Sequence, residues 1–160
     1  YISGNEKAAN NCFDIIDGFA RAFYYVGKFG NGSRMKYIAN HLVAIHNVAA
    51  AEALVLGMKA ELDPQLIFDV ISDSAGSSRM FEIRGPMMVA NNYNPATMKI
   101  ETWQKDMGII AEFAKSMNCP TPLFSATADI YTSGMAQGRS EEDTGAVCAV
   151  LSEMACLDRD

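Results

Sequence analysis

Gly30-Asn-Gly-Ser-Arg-Met-Lys36-Tyr-Ile-Ala-Asn40-His-Leu-Val-Ala-Ile-His-Asn47-Val-Ala-Ala-Ala-Glu52-Ala-Leu-Val-Leu-Gly57 is the stretch on which the fold turns. It opens on a glycine turn and continues as an apolar run in which Glu52 is the only formal charge between Lys36 and Lys59. The spacing predicts a helix from about residue 33 to 56, ended by Gly57. At about 100° per residue, positions 36, 40 and 47 fall within roughly 40° of one another, so Lys36, Asn40 and Asn47 form one narrow polar stripe. His41 and Glu52 lie on a different side, and Ile38, Leu42, Val43, Ile45 and Val48 supply apolar surface over much of the rest. A helix this rich in alanine and apolar on several sides is expected to be buried all round, as the central post of a domain or as a subunit interface.

A lysine at the head of such a helix either snorkels to water or is held in a dry cleft. Out of water an ammonium is disfavoured, which is how a lysine becomes a usable acid or base near neutral pH. The two glycines before it allow a close approach to a ligand or a sharp turn into the helix. The plain alternative is a surface lysine with two solvated asparagines.

Outward from this helix, the chain of 160 residues is long enough for one domain with a core, and 49% apolar with 20% charged content reads as globular. A net charge of −6 with scattered Lys and Arg argues against a nucleic-acid partner. No segment is expected to span a bilayer, because His46, Asn47 and Glu52 interrupt the best candidate. The cysteines Cys12, Cys119, Cys148 and Cys156 show no metal-type spacing, and His41 and His46 sit on opposite sides of a helix, so no metal is expected and a reduced, cytoplasmic protein is.

Before the long helix, Tyr1-Ile2-Ser3-Gly4 reads as a strand end and turn entered from upstream, which leads to the expectation of a C-terminal part of a longer protein. Residues 5–21 read as one amphipathic helix capped by Asn5, and Phe23-Tyr24-Tyr25-Val26 as a strand. After Gly32 the character is helical only. Asp63-Pro64 caps a helix to about Ser72. Ser77 or Ser78 starts a shorter helix that Gly85-Pro86 bends or stops, and Asn91 to Pro95 is a loop. A helix from about Met98 to Met117 carries Ile100, Trp103, Met107, Ile110, Ala114 and Met117 on one face, with Lys105 and Asp106 away from its middle. Another runs from about Leu123 to Gln137, and Ser140-Glu-Glu-Asp143 reads as a capping box for the last. Most of the chain is therefore expected to be an all-α domain.

These features resemble the β-hydroxyacid dehydrogenases, which include 3-hydroxyisobutyrate dehydrogenase, tartronate semialdehyde reductase and 6-phosphogluconate dehydrogenase. The motif G-x-G-x-x-x-K-x-x-x-N at the head of a long interdomain helix stands complete as Gly30, Gly32, Lys36 and Asn40. A second motif, a Lys-Asp pair followed by small apolar residues and proline, stands as Lys105-Asp106-Met-Gly-Ile-Ile-Ala with Pro120 and Pro122 downstream. Val26-Gly27, Glu52 to Gly57, Asp63-Pro64, Gly138 and Asp143 are also similar to the family, and the resemblance covers nearly the whole chain.

The resemblance implies a 6-phosphogluconate dehydrogenase C-terminal-like helical domain built on one long central helix over 29–160. A short strand-helix-strand remnant of an α/β Rossmann domain would precede it over 1–28. It implies hydride transfer between NAD or NADP and a small β-hydroxy acid such as 3-hydroxyisobutyrate, or a sugar acid such as threonate. Lys36 would be the general acid/base and Asn40 its partner on the substrate. Gly32, Asp106 and Met98 would line the substrate, and Lys105 would contact the cofactor. The partners implied are the chain's own N-terminal Rossmann domain and further copies, as a homodimer or homotetramer. The dinucleotide fingerprint and the family's Ser-Gly-Gly loop are not among these residues, so the chain alone is expected to be inactive. Met98 stands where some members carry Phe, and Ser33 and Val43 stand where the phosphosugar branch has His and Glu, which favours an unphosphorylated acid. A non-catalytic helical dimerisation module is the competing reading.

Overall fold

The computed structural model describes residues 1–159. The element order is α1 (Glu6–Asn10), α2 (Phe13–Asp17), α3 (Asn31–Lys59), α4 (Pro64–Ser72), α5 (Arg79–Val89), α6 (Ile100–Ser116), α7 (Pro122–Ala136), a 3₁₀ turn (Thr144–Ala146) and α8 (Val147–Met154). The all-α class is thus observed. The chain separates into two compact units, 1–40 and 41–160, and α3 contributes to both.

In the first unit the helix expected over 5–21 is two short helices. Asn5 caps the first through Ala8 N–H at 2.9 Å. The run Asn10-Asn11 then interrupts it, with poor helix formers where the chain turns. Ile15 and Phe19, on the face expected to be apolar, are 71% and 78% exposed, so little burial rewards one continuous helix. The strand expected at 23–26 shrinks to a single parallel bridge, Ile2 with Tyr25, because the short segment beside it offers too few ladder bonds. Ile2 N–H donates to Tyr24 O and Val26 N–H to Ile2 O, each at 2.8 Å.

The second unit packs α4 to α8 and the rest of α3 around Trp103, Tyr131, Phe81, Phe124, Leu54, Met88 and Val150. Along α3 the buried residues Ala44, Asn47, Val48, Ala50, Ala51, Leu54 and Val55 keep to one broad side, a stripe rather than the whole surface. Met35, Ile38, Leu42 and Leu56 are exposed, so the helix is not buried all round. By length and composition α3 does reach the size of a membrane span, contrary to the sequence reading. Its buried polar Asn47 and the aromatic core around it mark a core helix.

α3 also runs through Gly57 to Lys59. A Cβ at Gly57 would meet Ile67 Cδ1 at 2.5 Å, so this glycine makes room for α4 instead of ending a helix. Asp63 caps α4 as read, accepting from Leu66 N–H at 2.8 Å. Ser78 caps α5, which continues past Gly85-Pro86 to Val89. The donor lost at Pro86 would have served the carbonyl of exposed Glu82, which faces water. On α6, Ile100, Trp103, Met107 and Ile110 are buried, while Met117 lies beyond the helix and is exposed. The expected capping box at 140–143 does not form. Asp143 instead caps the 3₁₀ turn that leads into α8, accepting from Gly145 N–H at 2.9 Å.

Candidate active site

Three of the predicted site residues lie at the head of α3. Gly30 has φ +90° and an open Cβ direction, so its backbone conformation alone calls for glycine. Gly32 differs. A Cβ there would stand 3.0 Å from Tyr1 O and 3.2 Å from Ser3 Oγ, so the chain itself uses the close approach that glycine allows. Asn31 Nδ2 donates to Val26 O at 2.9 Å and ties the first turn to the bridge segment. Four and eight residues on from Gly32, Lys36 and Asn40 occupy adjacent turns, with about 6 Å between Cβ atoms. Asn40 is half-buried, and both side chains are engaged by partners. Lys36 is exposed. The dry cleft expected of it is not provided by these residues.

Asn47 leaves the polar stripe. It is fully buried in the second unit, where Nδ2 donates to the Tyr131 hydroxyl at 3.0 Å and to Thr144 O at 2.8 Å. It lies on the core-facing stripe of α3, and that burial decides its role. Tyr131 is held neutral, its hydroxyl pushed up to about 12 by burial. His41 stacks on Phe124 with ring centroids 5.2 Å apart, which makes it a packing residue as read.

The other three predicted residues surround the start and middle of α6. Lys105 is exposed and Asp106 half-buried, both off the buried Trp103–Met107 face. A Cβ at Gly108 would meet nothing within 4 Å, so the surface one turn beyond Lys105 is open. Met98 is half-buried and fixed by its backbone: its N–H donates to Asp143 Oδ2 at 3.2 Å, and its carbonyl accepts from Thr144 N–H at 2.9 Å.

Asp143 is the residue that sequence reasoning undervalued. Its Oδ1 accepts from Arg84 Nε at 2.7 Å and from Gly145 N–H, and its Oδ2 from Thr97 N–H at 2.8 Å and Thr97 Oγ1 at 2.7 Å. Burial pushes this carboxyl up, but the Gly145 N–H, Thr97 and Arg84 outweigh it and hold it down at about 2. One buried carboxylate therefore sets the conformation of the segment that presents Met98. The signal for it was an aspartate before a glycine and a long apolar run. Its partners Arg84 and Thr97 lie too far along the sequence to be read locally.

Lys105 offers a dinucleotide a cation on an open helix face, which fits a contact to a phosphate-bearing cofactor but is not a complete cradle for it. Among the described residues no three His, Cys, Asp or Glu side chains are gathered as a metal site.

Residues 30–151 match the family model described as the NAD-binding domain of NADP-dependent 3-hydroxyisobutyrate dehydrogenase. An L-threonate dehydrogenase of Cupriavidus necator is 34% identical over 93% of this chain and 50% of its own length. A 2-(hydroxymethyl)glutarate dehydrogenase of Eubacterium barkeri is 28% identical over 96% of this chain and 51% of its own. The crystal structure of a 3-hydroxyisobutyrate dehydrogenase from Salmonella typhimurium superposes with a TM-score of 0.86 at 33% identity, over 92% of this chain and 52% of that one. The chain thus spans about half the length of the curated relatives it matches. With the family model covering most of its length and this fold beside it, the chain belongs to the NAD-binding, 3-hydroxyisobutyrate dehydrogenase-like family of β-hydroxyacid dehydrogenases.

Proposed function

We propose that this chain is the helical, catalytic half of an NAD(P)-dependent β-hydroxyacid dehydrogenase, and that Lys36 is its general acid/base. The observation that carries this is the head of α3: a glycine at φ +90°, then Lys36 and Asn40 on adjacent turns. A bound nicotinamide supplies the acceptor and donor of hydride. In oxidation, the substrate's hydroxyl proton passes to the Lys36 amine as the carbon gives up hydride; in reduction the Lys36 ammonium returns it to the new alkoxide oxygen. Asn40, neutral and half-buried, holds the lysine and a substrate oxygen. Gly32, Asp106 and Met98 border the substrate, and Lys105 takes a cofactor phosphate. Because Lys36 is exposed here, the water-excluding surface must be a dinucleotide-binding domain that covers the head of α3. Residues 1–28 belong to that domain in this reading, and the chain works in the cytoplasm as a homodimer or homotetramer.

The substrate is a small unphosphorylated hydroxy acid. The 33% identical structure of a 3-hydroxyisobutyrate dehydrogenase supports 3-hydroxyisobutyrate, and relatives named L-threonate dehydrogenase at 31–34% identity support threonate. In the protein that contains this chain and its dinucleotide-binding domain, Lys36→Ala should lower kcat by about 10² to 10⁴ with the fold intact. Wild-type turnover in that variant would leave the competing reading, a helical dimerisation module. A panel of threonate, 3-hydroxyisobutyrate and 2-(hydroxymethyl)glutarate with each cofactor orders the substrates.

A further inference from the structure

We infer that the cavity between α3 and the turn into α5 binds a small monocarboxylate with an apolar tail. The inference goes beyond the hydride chemistry and stands or falls independently of it. The cavity lies wholly within the second unit and holds about 370 Å³, in the range of small-molecule sites. His46, Ala50 and Ala53 of α3 form its floor and fall within roughly 60° of one another on the helix. The two alanines leave space where a closely packed helix would carry larger side chains. Ile71 of α4 and the buried Phe81 of α5 add apolar wall.

The polar groups choose the occupant. Ser77 also lines the cavity, and its Oγ is shielded from water with no hydrogen-bond partner among the described residues. Its neighbour Ser78 uses its own hydroxyl on Phe81 N–H at 3.1 Å. A buried hydroxyl left unpaired is costly, and a polar atom of a ligand relieves it. The amino end of α5 opens on the same wall, where the positive end of its dipole favours an anion. Glu82, the acid of that first turn, is paired with Arg79 at 2.7 Å, and among the described residues no acidic side chain lines the cavity. A cation would meet no carboxylate there, and a plain hydrocarbon would leave Ser77 unpaired. A carboxylate accepts from the Ser77 hydroxyl and from a ring N–H of His46, while its tail lies along Ala50, Ala53, Ile71 and Phe81.

Ligand-observed NMR with hexanoate tests it, on the protein that contains this chain and its dinucleotide-binding domain. Hexanoate should bind with a Kd of about 1 mM or tighter. Hexanamide, of the same length but without the charge, should bind at least about tenfold more weakly. Ser77→Ala should weaken hexanoate about tenfold, the loss of one hydrogen bond to a charged group. Ala53→Leu should fill the cavity and abolish binding with an unchanged circular dichroism spectrum. Lys36→Ala should leave the Kd for hexanoate as it is, so a failure of the proposed proton transfer would not touch this result. No saturable binding to the wild type, equal binding of hexanamide, or hexanoate held as tightly by Ser77→Ala or by Ala53→Leu as by the wild type would overturn the proposal.

Discussion

Arg84 and Asp143 form an ion pair 2.7 Å long from which water is almost wholly excluded, with side-chain exposures of 8% and 0%. The pair joins α5 to the turn that starts α8. Burying two charges is costly, and here the cost is offset by the three further donors that Thr97 and Gly145 bring to the same carboxylate. Removing one charge leaves the other stranded. Arg84→Met should therefore lower the unfolding free energy by about 3–5 kcal/mol, read by urea denaturation. Pairing it with Asp143→Leu should recover part of that loss. A double variant less stable than Arg84→Met would show that the carboxylate's other donors, not the pair, carry the weight.

The same carboxylate makes stability depend on pH. Its folded value of about 2 lies below the ordinary 3.8, so the stabilisation is fully present above about pH 4 and is lost as pH falls through 2. The shift corresponds to roughly 2 kcal/mol. Thr97→Ala removes a hydroxyl donor 2.7 Å away, should cost about 1–2 kcal/mol at pH 7, and should move the acid unfolding limb upward. Acid limbs that coincide for both proteins would assign the transition to other carboxylates.

Local signals made the fold legible, and distant partners hid parts of the site. Asp63-Pro64 and Ser78 could be read as caps because a cap and the N–H it accepts lie three residues apart. The Trp103–Met107 face of α6 could be read because periodicity reports which side is buried. Helical angle alone groups Asn47 with Lys36. Its role came from Tyr131 and Thr144, partners 84 and 97 residues away. Asp143 reads locally as the end of a capping box for the same reason. Gly57 and Gly85 looked like breaks, whereas each is a seat for a side chain of α4. The exposure of Lys36 depends on what covers the head of α3, which local spacing does not encode.

Those two glycines should respond differently to alanine. At Gly85 the added Cβ would lie 2.5 Å from two ring atoms of Phe68, a ring that is itself stacked on buried Phe81 at 5.4 Å and would lose that stacking by moving away. Gly85→Ala should cost about 1–3 kcal/mol, and Phe68→Leu in the same chain should relieve part of it. At Gly57 the nearest atom is the terminal Cδ1 of Ile67, which another rotamer can move. The gain of about 1 kcal/mol in helix propensity then competes with the rotamer cost, so Gly57→Ala should fall within about 1 kcal/mol of wild type. Thermal unfolding of the two variants ranks them. Equal losses would mean that the core around Ile67 is as rigid as the Phe68 stack.

Tyr131 and Asn47 give an alkaline counterpart. The folded hydroxyl, raised by burial from 10 to about 12, keeps its proton where the unfolded one has lost it. Its contribution is present below pH 10 and disappears as pH rises through 12. Tyr131→Phe should leave Asn47 Nδ2 only its bond to Thr144 O, cost about 1–2 kcal/mol at neutral pH, and flatten stability between pH 10 and 12 relative to wild type. An ultraviolet titration with every tyrosine ionising together near pH 10 in the folded chain would contradict the buried hydrogen bond.

Asn40 offers a test of the proposed proton transfer that a merely structural asparagine would fail. Asn40→Asp is nearly isosteric but sets a carboxylate one turn from the Lys36 ammonium, and a nearby opposite charge favours the charged amine. Oxidation needs the neutral amine and reduction needs the ammonium. In the protein that includes the dinucleotide-binding domain, turnover in the oxidation direction near neutrality should therefore be lower by about tenfold. Turnover in the reduction direction should fall less. Lys105→Ala should instead raise the KM for the cofactor and leave the balance between the two directions in place, because an exposed cation on α6 that meets a phosphate binds without exchanging the proton. If Asn40→Asp lowered both directions equally at every pH, Asn40 would be holding α3 in shape and the proton would be travelling elsewhere.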